Sequence, residues 1–442
     1  MAVDIAIERQ DAAGHTYLTW SPRRARVRLL PGGAGGPVAV TVANAPGGAG
    51  GQVEFAAGPT KGRTATIDLV LPADGSPVEL WVAGRFGRPS TADQDATIEV
   101  RPTAGGAVLG STTAMVRVRK DATRLSTAER DRFLVALAAV NAAGQGPFAS
   151  FREMHREQLA LRQAHGAPGF LAWHRAYLLD LERVMQAEDP SVTLPYWSFA
   201  SPAPNLLTPD FMGGNLATGR TVVFAPMHPL QDWTTDGVRG ISRRPQPLFD
   251  PASSGAISDQ GIAAITDART MALGGPPPTA TFDTGPTPVG GFGGLDAMEG
   301  NPHGTAHRSM DGYLFSTSTA PRDPLFFLLH CNVDRLWARW QWQNDRFDGT
   351  NPRTYFYRGS ATSTPATRLG HNLRDTMWPW NGRSGGQLPP APPPRPPLAA
   401  VPTAATPGPS PTVGDMIDYG GVLRPGSDMD FAYDLVPFGV AP

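Results

Sequence analysis

Nine histidines occur in this 442-residue chain, and six of them fall into two groups that could each hold a metal ion. The first group is His155, His165 and His174; the second is His303, His307 and His330. His303 and His307 stand four apart. On a helix that spacing sets two imidazoles on one face, about 5–6 Å apart at Cβ. Two such nitrogens can grip one ion, and His330, opening the next helical stretch, supplies a third. In the first group His155 lies mid-helix, His174 starts the following helix, and His165 sits in the loop between, nine residues before His174. Three neutral imidazoles with no thiolate nearby suit copper, iron or zinc. A lone histidine on a helix is more often a surface or core residue, and one HxxxH pair is weak. Two triads, each beside an aromatic-rich helix, form a much stronger pattern. Spacing alone leaves copper and iron both open.

The elements that must position these side chains begin near residue 121. Ser126-Thr127-Ala128-Glu129 reads as a capping box, and Phe133, Leu134, Leu137 and Val140 follow at helical spacing. Further helices are expected over residues 148–163, 175–187, 301–313 and 324–345. The Pro/Gly-rich passage over 195–294 shows only weak helical patches. Ahead of all this, residues 1–120 read as β. Arg26-Val27-Arg28-Leu29, Val38-Ala39-Val40-Thr41-Val42, Val78-Glu79-Leu80-Trp81-Val82 and Val116-Arg117-Val118-Arg119 alternate with period two between Gly/Pro turns, the signature of short strands in a sandwich-like domain. Residues 388–411 are Pro/Ala-rich and suit a linker or extended strap, and 414–438 alternate enough for one or two strands. The expected organisation is a multidomain chain: a β-sandwich-like accessory domain over 1–120, a mainly α metal-binding domain with long loops over 121–387, and a Pro-rich linker with a C-terminal β segment over 388–442 that packs on the catalytic domain.

Composition narrows the function classes. The formal net charge of -1 gives no reason to expect nucleic acid or an anionic membrane as partner. The single cysteine, Cys331, rules out an internal disulfide and a thiolate-rich zinc site. No secretory signal is visible in residues 1–10, which carry Asp4 and Glu8, and no run of about 18 apolar residues occurs. A cytoplasmic location is the default expectation, with export beside a signal-bearing partner as the alternative.

The residues around the histidines carry a resemblance. Phe170-Leu171-Ala172-Trp173-His174-Arg175-Ala176-Tyr177-Leu178, with Glu182 after it, resembles the first copper motif of the tyrosinase and polyphenol oxidase family. Leu194-Pro195-Tyr196-Trp197 looks like the short motif that follows it. Asn301-Pro302-His303-Gly304-Thr305-Ala306-His307 resembles the start of the second copper motif. Arg322-Asp323-Pro324-Leu325-Phe326-Phe327 with His330-Cys331-Asn332-Val333-Asp334-Arg335-Leu336-Trp337 resembles its end. Gly414-Asp415-Met416-Ile417-Asp418 is similar to the closing segment of plant-type members.

The resemblance implies a four-helix bundle around a type-3 dicopper centre, a shape well suited to aiming six side chains inward. It assigns His155, His165 and His174 to one copper ion and His303, His307 and His330 to the other, with dioxygen as co-substrate and a small phenol as substrate. It places Glu299, four residues before His303, where plant-type members hold a water that can take the phenolic proton. Asp334 is expected to orient a histidine or tie down an arginine. Arg308 is expected at the pocket mouth, where substrate tails are sorted. Trp173, Trp197, Phe326 and Trp337 read as core.

Several positions depart from the family pattern. Gly304 stands where many efficient monophenol hydroxylases carry Asn, which argues for oxidation of catechols or o-aminophenols over hydroxylation of monophenols. Leu329 replaces a frequent extra histidine, and Ser198 replaces a frequent Asp. No cysteine lies near His165, so the Cys–His thioether of plant and fungal members cannot form there; Cys331 is expected to be a buried, inert thiol. Ser316 to Thr319 offer small side chains where plant catechol oxidases often have a bulky gate, which suggests an open pocket. His15, His228 and His371 fit neither triad. The competing readings are a full tyrosinase and, in another class, a haemocyanin-like dioxygen carrier; the β domain could serve as a lid, in assembly, or for stability.

Overall fold

Two compact units divide the chain in the computed structural model of the protein: residues 1–119 with 401–406 and 419–438, and residues 120–400 with 407–418 and 439–442. The structure describes all residues except 33–34, 200–202, 216–220, 246–269, 278, 283–293, 356–369, 387 and 442.

The first unit is β-rich because its apolar residues alternate. In Arg23–Leu29 every second residue is buried while Arg24, Arg26 and Arg28 face outward, as period-two patterning requires. That strand (β3) lies in an antiparallel sheet with Val3–Ile7 (β1), Val78–Gly84 (β7) and Val53–Ala56 (β5), in the order β1-β3-β7-β5. A five-stranded sheet joins Tyr17–Leu18 (β2), Gly110–Val116 (β9), Ala96–Pro102 (β8), Val38–Asn44 (β4) and Thr66–Leu71 (β6) in the order β2-β9-β8-β4-β6. Among these described strands only β2 and β9 pair in parallel. Val27, Leu80 and Val82 of one sheet and Val40, Val42, Ile98 and Val100 of the other belong to one buried cluster.

The C-terminal residues correct an expectation. Residues 414–438 contain no strand ladder, only a one-turn helix at Gly414–Met416 and an isolated bridge between Arg119 and Tyr433. Residues 419–438 belong to the β unit rather than to the helical one. The reason is long-range. Asp430 is buried against the guanidinium groups of Arg23 and Arg117 and accepts from Thr403 Oγ1 at 2.6 Å. Trp20 Nε1 donates to Tyr433 O at 2.8 Å, and Arg119 Nη1 donates to Tyr433 Oη at 2.9 Å.

The second unit is helical. Its helices are Thr127–Asn141 (α1), Phe148–Arg156 (α2), Gln158–Ala164 (α3), Phe170–Glu188 (α4), His303–Arg308 (α5) and Leu325–Asn344 (α6). The capping box is present: Ser126 Oγ accepts from Glu129 N at 3.3 Å and Glu129 Oε2 accepts from Ser126 N at 2.9 Å. Lys120 pairs with the same carboxylate. Ser126→Ala should therefore lower stability by about 1 kcal/mol, read as a reduced urea midpoint at unchanged m-value.

The expected helix over 148–163 is two helices, because the backbone at Glu157 is extended (ψ 115°). The expected 301–313 helix is only six residues long and gives way to a strand, Met310–Gly312, paired with Arg243–Pro245. Arg243 makes a buried two-pronged ion pair to Asp323 at 2.7 and 2.8 Å. Asp323 Oδ1 also accepts from Leu325 N at 3.0 Å, capping α6. The Pro-rich segment behaves as a strap on α4: Ala399 N donates to Asp180 Oδ1 at 2.9 Å and Arg183 Nη1 donates to Ala399 O at 3.1 Å. Much of the passage 195–294 lies outside the described residues.

Candidate metal centre

The two sequence triads are two clusters in space. Within each, the nitrogens of His155, His165 and His174, or of His303, His307 and His330, lie within 4.8 Å of one another. His155 comes from α2, His174 from α4, His303 and His307 from α5, and His330 from α6. His165 is the residue that ends α3, in extended backbone. Two expected positions shift: His174 is the fifth residue of α4 and His330 the sixth of α6, so neither opens its helix. Rigid turns on both sides of each ring fix them better than a helix end would.

Four of the six rings are oriented by main-chain oxygens. His155 Nδ1 donates to Thr317 O at 2.9 Å, His174 Nδ1 to Phe170 O at 2.9 Å, His303 Nδ1 to Glu299 O at 2.8 Å, and His307 Nδ1 to Leu314 O at 2.7 Å. A carbonyl can only accept, so the proton of each neutral ring sits on Nδ1 and Nε2 is left as a bare lone pair. His155 Nε2 and His174 Nε2, both bare, lie 3.5 Å apart. Lone pairs this close repel unless a cation lies between them. His330 Nε2 stands 3.2 and 3.3 Å from Nε2 of His303 and His307. Its own Nδ1 is buried without a hydrogen-bond partner, as is His165 Nδ1.

Electrostatics agree with ligand duty. Burial holds all six imidazoles below their ordinary range, His155 down to about 3 and His307 to about 4, with the neighbouring rings adding to the effect in five of the six. At neutral pH they are uncharged donors, the form that binds metal. The rings of His174 and His330, one from each triad, stack at 4.2 Å and 12°. The two clusters therefore adjoin as one dinuclear site. No third group of this kind occurs among the described residues, and His15, His228 and His371 stay outside both.

Two phenylalanines wedge the rings. Phe326 lies 4.2 Å from His330 and 4.8 Å from His155 between ring centroids, and Phe170 lies 4.8 Å from His174 and 4.9 Å from His303. Phe326 was expected as core and is fully buried, but it also packs on both triads. Phe170 was missed, although it stands four residues before His174 and so on the same helix face.

Glu299 ends a short 3-10 helix, Gly294–Glu299. Its Oε1 accepts from Gly166 N at 2.8 Å, and its Oε2 is buried with no hydrogen-bond partner. Burial raises this carboxyl from 4.5 to about 7. Through Gly166 it ties down the backbone beside His165, and through its own carbonyl it orients His303. Gly304 follows directly. A Cβ there would meet Arg308 Nη1 at 3.1 Å, so the arginine folds back over the position that carries no side chain. Arg308 is exposed and donates to Thr305 Oγ1 at 3.0 Å.

Asp334 ties down an arginine. It accepts from buried Arg175 Nε at 2.6 Å, and that guanidinium lies 3.6 Å over the Trp337 ring and donates to Gln341 Oε1 at 3.0 Å and Met416 O at 2.6 Å. This contact is the arginine tie among the two expected roles. Cys331 is buried, with Sγ 3.5 Å from Leu194 O. Leu329 is fully buried and Ser198 nearly so. Ser316 and Thr317 are exposed, and Phe315 beside them is 62% exposed.

A family model described as the common central domain of tyrosinase matches residues 145–343, the span that holds all six histidines. Tyrosinases of Streptomyces antibioticus and Streptomyces glaucescens are 30% and 31% identical over 288 and 290 residues; each match covers 61% of this chain and 95% of the relative. Grixazone synthase of Streptomyces griseus is 30% identical over 267 residues, covering 51% of this chain and 85% of the relative.

Proposed function

The chain belongs to the tyrosinase family, and from that premise we propose that it oxidises catechols and o-aminophenols in preference to hydroxylating monophenols. As a member it is a copper-dependent oxidoreductase that acts on phenols with dioxygen. The observation that carries the site assignment is the pair of adjoining triads with bare, inward Nε2 atoms. His155, His165 and His174 would hold one copper and His303, His307 and His330 the other, with α2, α4, α5 and α6 as the four ligand-bearing helices of the bundle. The donors fit: all-nitrogen, neutral, buried and unable to charge at neutral pH. The coppers, when bound, supply the two-electron chemistry that joins dioxygen reduction to phenol oxidation.

The protein's own residues do the rest. Phe170 and Phe326 keep water from the ring edges and fix the imidazole planes. Glu299 Oε2, unpartnered and raised to about 7, is the proton acceptor for the phenolic hydroxyl, directly or through one water. Gly304 places no donor beside that water, and this favours substrates whose hydroxyl is already acidified by an ortho substituent. Arg308, exposed next to Gly304, meets the substrate's tail.

Oxygen uptake by copper-loaded protein tests this, with a monophenol, a catechol and an o-aminophenol compared. The expected order is catechol or aminophenol first and monophenol far behind, with His307→Ala inactive on all three. Equal rates on the monophenol would make the chain a full tyrosinase; copper-dependent oxygen binding with no turnover of any of the three would make it a carrier. Gly304→Asn should raise the monophenol rate relative to the catechol rate about two- to tenfold, the equivalent of one hydrogen bond of about 0.5–1.5 kcal/mol. The exposed Arg308 can swing aside to admit the new side chain.

A further inference from the structure

One loop serves both triads. Leu314 O orients His307 of the second triad and Thr317 O orients His155 of the first, three residues apart. Both oxygens belong to the backbone, so the rings are placed only as well as the segment Tyr313–Thr319 is placed. Leu314 is fully buried and Tyr313 N donates to Ser242 O at 2.8 Å, but Ser316 and Thr317 are exposed, and a clamp of side chains holds the segment from the other end. Thr319 Oγ1 closes the loop on Tyr313 O at 2.8 Å. The Arg322 guanidinium lies 4.1 Å from the centroid of the Tyr313 ring. Arg322 is itself fixed by the hairpin Thr234–Arg239, with Nε donating to Thr235 Oγ1 at 3.0 Å and Nη2 to Thr235 O at 3.1 Å, and with Asp236 Oδ2 at 3.5 Å. The same Oδ2 of Asp236 meets Arg152 Nη2 at 2.6 Å, so one carboxylate oxygen bridges the two arginines.

Arg152 stands one turn before His155 on α2. The contacts, with the loop backbone from Thr317 to Thr319, therefore close a ring: His155, Thr317, Thr319, Tyr313, Arg322, Asp236, Arg152 and back along α2 to His155. We infer that Arg322 is a positioning residue for the dinuclear centre, setting through Tyr313 the two carbonyls that aim one histidine of each triad. A hairpin with no ligand of its own thereby governs the geometry of both metal positions. The inference rests on the dicopper reading of the triads.

The test compares wild type, Arg322→Met, Arg322→Lys, Tyr313→Leu and Arg239→Ala after copper loading. Three readouts are taken: copper bound at equilibrium against a competing chelator, the paramagnetic signal of the oxidised protein, and kcat and KM on a catechol. An intact adjoining pair of Cu(II) ions couples its spins and gives little signal. Arg322→Met should expose an uncoupled Cu(II) signal and lower copper affinity or kcat about 10- to 100-fold, the range for partners that hold ligands, with KM changed less than about twofold. Tyr313→Leu, which leaves Arg322 on its hairpin, should give the same signature. Arg322→Lys, which keeps a cation over the ring, should recover most of the loss. Arg239→Ala removes a charge from the same hairpin at an exposed pair and should match wild type.

If Arg322→Met and Tyr313→Leu lower only the melting temperature and leave spin coupling, affinity and kcat at wild-type values, the inference is overturned and the clamp is purely structural. If wild type itself takes up no copper, the dicopper reading falls with it.

Discussion

His330→Ala should leave the protein folded but with one copper equivalent instead of two, and with catechol turnover reduced more than about a hundredfold, beyond the 10- to 100-fold cost of losing an outer partner. The size follows from where this ring stands. Its Nε2 lies 3.2 and 3.3 Å from the other two nitrogens of its triad, so it completes one metal position. Its ring face lies on His174 at 4.2 Å, so its loss also opens the contact between the triads. The backbone has little reason to follow, because Leu328 and Leu329 are fully buried on the same helix, and Asp323 and Arg243 fix its start. Metal analysis with a circular dichroism spectrum decides the matter. Two equivalents and near-normal turnover would remove His330 from the ligand set; an unfolded spectrum would mean that the ring holds the helix and not the ion.

The metal-free protein should lose stability steeply as pH falls below about 6.5, and copper should raise stability at each pH without removing that slope, because the loss arises from protons taken up by the unfolded chain. Six imidazoles have folded pKa values depressed by burial, to about 3 for His155 and about 4 for His307. A histidine depressed in the folded state contributes no cost above its unfolded value of about 6.5. Below it the unfolded chain takes up a proton that the folded chain refuses. Stability then falls by about 1.4 kcal/mol per pH unit for each such group, until pH reaches the folded value. Glu299 works the other way: raised to about 7, its contribution is present below 4.5 and lost as pH rises towards 7. One carboxyl against six imidazoles leaves the sign with the histidines. Urea midpoints at pH 7 and pH 5, with and without copper, check this. At 100 times its dissociation constant a bound ion adds about 2.7 kcal/mol. A metal-free midpoint that does not move between the two pH values would show that the rings are hydrated, not buried, when empty.

The candidate site was unevenly legible. Residue types carried the six donors, because histidine at helical spacing is rare enough to notice, and the structure gathers the same six. What orients them was invisible, since Phe170 O, Glu299 O, Leu314 O and Thr317 O are main-chain atoms that any residue would offer. Asp334 was recognisable as a charge in need of a partner, but its partner Arg175 lies 159 positions away on another helix. The break at Glu157 has no glycine or proline to announce it. In the β unit the alternation marked β3, β4 and β7, whereas the expected strand at Val116–Arg119 runs past the end of β9 and shares only Val116 with it, its residues all being buried. Burial of Asp430 between Arg23 and Arg117 could not be anticipated, because ion pairs across more than three hundred residues leave no local pattern.

That last arrangement has a bearing on how the chain is made. Trp20 and Tyr433, whose hydrogen bond ties the β unit together, are 413 positions apart. At about 5–20 residues per second, a ribosome needs roughly 20 to 80 s to go from one to the other. By then every histidine of the two triads has been synthesised, while the first nine strands have waited without Asp430 to neutralise Arg23 and Arg117. The β unit is begun before the helical one and completed only with residues 419–438, so an emerging chain passes through a stage in which the metal ligands are all available and their fellow unit is still unsealed.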